Sequence, residues 1–289
     1  MPENPQLIRY KKLLAYIEDH LHEELQIEQI EEVCHYSYRN INRIFEAINQ
    51  ETIGRYVKRL RLEKAAQYLK YSEAGVAQIA YQVGFEDRSA FSKAFKKRYG
   101  RSPQSYRESV VTERESLKKH FLKQENDERP QLKFETEYLP DFDYLFNEYR
   151  GDHRDIEAIS KKWDQLLSYT DEKGLASNQS IFFTEIIDDA EISDHIHSRY
   201  NQAMILERPL AFEPTNLFRV KSHKRQKYAK FIHEGSQQSA AVYYQQIYAF
   251  WILDVSLELA DLPIIEFYPN FEENLPEEEL ITEIYIPVS

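Results

Sequence analysis

The sequence predicts two domains of different class. The first is an all-α N-terminal domain with two helix-turn-helix units. The second is an α+β C-terminal domain of two strand–helix–strand–strand repeats sharing an antiparallel sheet. Three observations carry this expectation. The 289 residues are about twice a typical domain length. The first 110 residues show helical apolar spacing that returns after some fifty positions. Beyond residue 130 short strand-like segments alternate with two helical stretches, and this pattern repeats as well.

Composition narrows the function classes. The chain is 42% hydrophobic and 13% aromatic, enough for packed cores and too apolar for disorder. No apolar run approaches the ~18 residues of a membrane span, and the start MPENPQLIRYKK lacks a signal-peptide core, so a cytoplasmic protein without a membrane partner is expected. The single cysteine, Cys34, excludes a disulfide framework and a multi-cysteine metal site. HExxH, CxxC and Gly-rich phosphate loops are missing among only 7 glycines, so no cofactor or metal is expected. The net charge of −12 argues against nucleic acid until it is located. Residues 1–110 carry a net +3, and within them 37–110 carry +8, whereas 111–289 carry −15. That asymmetry fits a basic module that meets a polyanion joined to an acidic module that does not.

In the first domain Leu7, Tyr10, Leu14, Ile17 and Leu21 share one helix face. A short helix follows with Ile27, Ile30 and Val33 inward. Then come the tight His35-Tyr36 connection, Ser37 as N-cap, and a second helix burying Ile41, Ile44, Phe45 and Ile48. The layout returns with Val76, Ile79 and Val83, a Gly84-Phe85 turn, and Phe91, Phe95 and Tyr99. Ile27 to Val76 is 49 positions and Phe45 to Phe95 is 50. Between the copies, Tyr56–Leu69 has no Gly or Pro and reads as one rigid helix. Arg39, Asn42 and Arg43 project away from the first apolar face, and Arg88, Ser89, Ser92, Lys93 and Lys96 away from the second. Arg and Asn can present paired hydrogen-bonding groups to base edges in the major groove. Lys96, Lys97 and Arg98 suit phosphates instead. Double-stranded DNA is the expected partner.

The run Gly84-Phe85-Glu86-Asp87-Arg88-Ser89-Ala90-Phe91-Ser92-Lys93-Ala94-Phe95-Lys96-Lys97-Arg98-Tyr99-Gly100-Arg101-Ser102-Pro103-Gln104-Ser105-Tyr106-Arg107 closely resembles the signature of AraC/XylS-type transcription regulators. The resemblance covers residues 7–108. It implies a seven-helix domain whose two recognition helices enter successive major-groove segments. By position it places base contacts at Arg39, Asn42 and Arg43, and at Arg88, Ser89, Ser92 and Lys93. The first unit departs from the pattern at Glu31, where the family has a small Ala, and at His35, where the turn has Gly. His tolerates a left-handed backbone better than most residues, so the turn can survive. A buried unpaired Glu31 would be costly, so it must reach solvent or a partner. Cys34 reads as a small core residue.

Residues 111–130 are charge-dense and end in Pro130, which reads as a partly helical connection, giving domains at 1–110 and 131–289. Strands are expected at 133–138, 144–149, 181–187, 201–206, 228–233, 264–268 and 281–288, and helices at 155–168 and 239–258. Gly151, Trp163 and Ile181 are echoed by Gly235, Trp251 and Ile264, about 84 residues on. Both helices would lie on one side of the sheet, leaving a groove suited to a small molecule. Glu266 and Tyr268 stand at i, i+2 on one strand, and Glu283 and Tyr285 repeat that spacing on the last. Acidic groups among aromatics attract an organic cation, although the same residues also suit a solvated strand edge.

The segments 243–254, Leu262–Pro269 and Thr282–Val288 look like the GyrI-like effector-binding domain. That resemblance implies a site for amphipathic cations at Glu266, Tyr268, Glu283 and Tyr285, with Trp163 and Trp251 nearby. The whole chain then reads as a transcription regulator whose C-terminal domain senses a small molecule and biases promoter binding or contact with RNA polymerase. Two other readings stay open: a GyrI-like domain serving only as a protein-interaction surface, or a GyrI-like hydrolase fused to a DNA-binding domain. No Ser/His/Asp or Cys/His constellation supports catalysis, so no enzyme is expected.

Overall fold

A computed structural model describes residues 4–124, 128–189, 191–193, 197–215, 217–252, 254–270 and 275–289. The chain divides into two compact units with the boundary at Val111/Thr112.

The first unit is helical: α1 (Pro5–Asp19), α2 (Ile27–Cys34), α3 (Tyr38–Asn49), α4 (Ile53–Tyr71), α5 (Val76–Gln82), α6 (Arg88–Tyr99) and the start of α7 (Pro103–Gln124). Asn4 opens α1 by accepting the Gln6 N–H, with Pro5 at the first helical position, where a missing N–H costs nothing. Tyr10, Leu13, Leu14, Ile17, Ile30, Ile41, Phe45 and Tyr56 close the first core. Cys34 lies in that core with no exposed surface, and burial pushes its thiol up to about 11. Ile27 and Ile48, expected inward, are 49% and 38% exposed. Both sit at helix ends, where the apolar stripe runs past its neighbours.

The two turns solve one problem with different residues. After α2 the chain turns left-handed at His35, with φ 51°. Ser37 stands at the N-cap of α3, but its side chain makes no capping bond. The Glu31 carboxylate accepts the Tyr38 N–H at 2.6 Å, which gives this acidic residue its partner. After α5 the turn is Gly84, φ 81°, where an added Cβ would lie 2.8 Å from the His22 carbonyl oxygen. Only glycine fits there.

The second unit carries one antiparallel sheet. Its strands are β1 (Phe134–Leu139), β2 (Phe142–Arg150), β3 (Phe182–Ile186), β4 (Arg199–Leu206), β5 (Arg219–His223), β6 (Gln226–Glu234), β7 (Ile264–Phe267) and β8 (Ile281–Pro287). Helices α8 (Ile156–Glu172) and α9 (Gln237–Phe250) complete it, with a 3-10 turn at Glu277–Glu279. The spatial order is β1-β6-β8-β7-β3-β4-β2-β5. The inner six strands read β6-β8-β7 and then β3-β4-β2, so the two repeats meet at β7/β3 about a pseudo-twofold axis. The outer strands are exchanged: β1 leads into β2 yet pairs with β6, and β5 leads into β6 yet pairs with β2.

This exchange forces the sheet to curl. A flat sheet of this order would put β1 and β2 about 29 Å apart at ~4.8 Å per strand, but the Cα steps from Leu139 to Phe142 reach only about 11 Å. The ends therefore come together. His223 on β5 stacks on Tyr228 of β6 with centroids 5.9 Å apart, and the Arg225 N–H donates to Asp141 at 2.5 Å. The concave face fills with rings in a closed circuit, Phe142, Phe183, Phe267, Tyr285, Tyr228 and His223, each 4.4 to 6.0 Å from the next. The opposite face packs both helices, Leu145 against Leu166 of α8, and Phe231 and Ile284 against Ile247 of α9. Residues 111–124 of the expected connection are the second half of α7, where Phe121 packs on Phe250. Residues 125–127 of that connection lie outside the described residues.

Candidate DNA interface and effector pocket

On α3, Arg39 and Arg43 are exposed. Asn42 is partly buried, and its Oδ1 accepts the Ile53 N–H at 2.9 Å, opening α4. That leaves Asn42 only its amide hydrogens for a base. Asn40, which the spacing argument passed over, is exposed and shares with Arg43 a groove of about 550 Å³ also bordered by Tyr36 and Ile48.

On α6, Arg88, Ser89, Lys93, Lys96 and Lys97 are exposed and Ser92 partly so. Asp87 caps the helix by accepting the Ala90 N–H at 2.6 Å, and backbone N–H groups of Ala90 and Ser89 hold its carboxyl below the usual range. Arg98 departs from its expected role. Its guanidinium pairs with Glu63, itself 2% exposed, so the cations free for phosphate at this helix end are Lys96 and Lys97. Glu63 also binds Arg59 at 3.1 Å, and Arg59 binds Glu51 at 2.6 Å. This buried chain of charges joins α4 to the end of α6. A second tie is Arg61 on α4, which donates to the backbone carbonyls of Leu21, at 2.8 Å, Gly84, at 2.9 Å, and Glu23. One guanidinium thus bridges the chain before α2 and the turn before α6, fixing one helix-turn-helix unit against the other.

In the second unit the six ligand candidates fall into three places. Glu266 and Tyr268 lie on the helix-bearing face. The Tyr244 hydroxyl on α9 donates to Glu266 at 2.8 Å, and so does that of Tyr268, also at 2.8 Å. Thr184 stands 2.9 Å behind the Tyr268 oxygen. Trp163 on α8 meets Tyr268 edge-on at 6.2 Å. Burial pushes the Glu266 carboxyl above its ordinary range, although the two tyrosine hydroxyls and nearby His233 favour the charged form. Among the described residues no Lys or Arg pairs with it.

Glu283 and Tyr285 do not join them. Glu266 pairs with Ile284 and Phe267 with Glu283, and residues opposite one another share a face, so Glu283 projects to the concave side. There Lys230 neutralises it at 2.9 Å, and Tyr285 is buried between Tyr228 and Phe267. Equal i, i+2 spacing on neighbouring strands gave the impression of one site, but a one-residue offset in register separates them. Trp251 is also elsewhere, 5% exposed at the end of α9 and packed edge-on against Phe231 at 4.9 Å. It is core.

Sequence reasoning missed Tyr244 and a polar row under the helices. Glu266 pairs with Thr184, Thr184 with Gln202, and Gln202 with Asn147, four polar residues on consecutive strands of one face. Their signal was faint, because an isolated polar residue in a strand also reads as a solvated position. Among the described residues no group of three His, Cys, Asp or Glu side chains could hold a metal ion, and no helix is long and apolar enough to cross a membrane.

Comparison with known proteins adds the following. A family model described as a helix-turn-helix domain matches residues 31–109, and one described as a GyrI-like small molecule binding domain matches residues 132–289. The HTH-type transcriptional activator RhaS of Escherichia coli O139:H28 (strain E24377A / ETEC) is 38% identical over 100 residues, covering 35% of this chain and 36% of RhaS. The chain thus spans about a third of the length of the curated relatives it matches. Among solved structures, the DNA-binding domain of AdpA in complex with a target DNA is 25% identical, over 36% of this chain and 95% of that one, with a TM-score of 0.35. EcmrR in its cryo-EM complex with DNA is 16% identical over 86% of this chain and 98% of its own, with a TM-score of 0.47. The chain belongs to the GyrI-like small-molecule-binding family, whose model matches more than half of it, and its N-terminal unit carries an AraC-type helix-turn-helix domain.

Proposed function

We propose that this protein is a sequence-specific DNA-binding transcription regulator whose C-terminal domain binds an amphipathic organic cation at Glu266. The observation that carries the ligand class is a carboxylate held by two tyrosine hydroxyls with no Lys or Arg partner among the described residues. A buried charge of this kind is satisfied by an incoming opposite charge, and Trp163, Tyr244 and Tyr268 supply ring faces for its apolar body. Glu283, already neutralised by Lys230, takes no part.

For DNA, the bases are read by Arg39 and Arg43 on α3 and by Arg88, Ser89, Ser92 and Lys93 on α6, with Asn42 contributing at most its amide hydrogens. Lys96 and Lys97 supply backbone affinity. The test has two arms. Selection of bound sequences from a random duplex pool should return a motif with the parent protein and lose its definition in Arg43→Ala and Lys93→Ala. Titration with tetraphenylphosphonium should show saturable binding that Glu266→Gln weakens about tenfold or more. No enriched motif refutes the regulator. Unchanged phosphonium affinity in Glu266→Gln refutes the pocket.

A further inference from the structure

The row beneath the helices bears on what the ligand must carry besides its charge. Gln202 is 1% exposed and Asn147 is 2% exposed. Gln202 Oε1 and Asn147 Oδ1 have no hydrogen-bond donor among the described residues. The Asn147 orientation is fixed, since its amide nitrogen donates to the Lys162 carbonyl on α8 at 2.9 Å. Leaving a buried acceptor unmet is unfavourable, and central strands of a packed sheet rarely retain two such groups side by side. Both stand on the face and in the row that hold Glu266. Gln202 is two strands from Glu266, about 10 Å, and Asn147 is three strands away, about 14 Å.

We propose that the effector is an elongated monocation carrying uncharged N–H donors, anchored by its charge at Glu266 and read along its length by the side-chain oxygens of Gln202 and Asn147. This rests on the ligand site proposed above and narrows its substrate class. A compact cation without N–H groups fills the Glu266 end and leaves both acceptors unmet. An elongated one bearing ring amines satisfies them in a buried setting, where a hydrogen bond discriminates most strongly. A second positive charge at the far end is not called for, because Gln202 and Asn147 are neutral.

The experiment is isothermal titration calorimetry of the full chain, free of DNA, with two probes. One is ethidium, a phenanthridinium monocation with two ring amines. The other is the same cation lacking those amines. In the parent, ethidium is expected to bind about tenfold more tightly. Gln202→Met keeps the side-chain length and removes the acceptor. It should erase most of that advantage while leaving the affinity of the amine-free probe within about twofold. It should also keep or raise the ligand-free unfolding temperature, because the unmet oxygen is gone. Glu266→Gln should weaken both probes and preserve their ratio. Equal affinities in the parent overturn the proposal without recourse to any variant, and if Glu266→Gln still weakens both probes the cation site itself stands. An unchanged ratio in folded Gln202→Met overturns the assignment to Gln202. If neither probe binds the parent, the cation site and this inference fall together.

Discussion

Glu266 and Glu283 carry the same side chain on adjacent strands and end with different partners. Lys230 answers one, while tyrosine hydroxyls and burial shape the other. A raised carboxyl holds a proton over part of the acidic range where an ordinary one would be charged, and a bound cation favours the charged form. If the proposed cation binds at Glu266, it should release a proton in that acidic range. Affinity should climb with pH from about 4.5 through the raised value and level off above it, as read by calorimetry in buffers of different ionisation heat. Constant affinity from about pH 4 to pH 8 would show that Glu266 does not receive the charge. His35 offers a separate stability test. A non-glycine residue at φ 51° costs roughly 1 kcal/mol, and the side chain is exposed, so His35→Gly should stabilise the first unit by about 0.5–1 kcal/mol in denaturant titration. At the DNA face, Arg43→Ala should cost about 1–3 kcal/mol of specific affinity, measured by anisotropy against the selected site and a scrambled one.

The helices were readable because a period of 3.6 survives in the sequence whatever they later pack against. The bridges between them were not. Arg59, Arg61 and Glu63 look like the polar face of an exposed rod, yet Arg59 and Glu63 are buried and Arg61 is spent on backbone carbonyls. Removing one member of such a cluster strands the others, so Glu63→Ala should lower stability by on the order of 3 kcal/mol, followed by thermal unfolding. Arg61→Ala should weaken binding to an intact two-part DNA site far more than to either half alone, because it loosens the spacing between α3 and α6. An equal loss on the half-sites would mean Arg61 acts only through local stability. In the second unit the spacing of Glu266 and Tyr268 was legible, but register was not, and register decides faces. Strand β5 escaped for a related reason: Arg-Val-Lys-Ser-His holds a single apolar residue, and Val220 is itself 43% exposed. The expected helix to residue 258 stops at Phe250, since Trp251 turns into the core beside Phe231.

Across the whole molecule, charge is divided so that the average misleads. With −12 overall, the chain should still show DNA affinity that falls steeply with salt, because the slope counts phosphates met by residues 37–110 and not the acidic excess of residues 111–289. Lys96→Ala should reduce that slope by about one without changing sequence preference. The two units also differ in how far along the chain their partners lie. Contacts in the first reach about forty residues, as from Tyr10 to Asn49 or Arg61 to Leu21, whereas Phe134 must wait for Phe231. On a ribosome adding 5–20 residues per second, the strand that begins the second unit stays unmatched for some five to twenty seconds after it is made. During synthesis a nascent chain can therefore hold a finished DNA reader tethered to an unfinished sensor, and its earliest encounters with a promoter are blind to the effector.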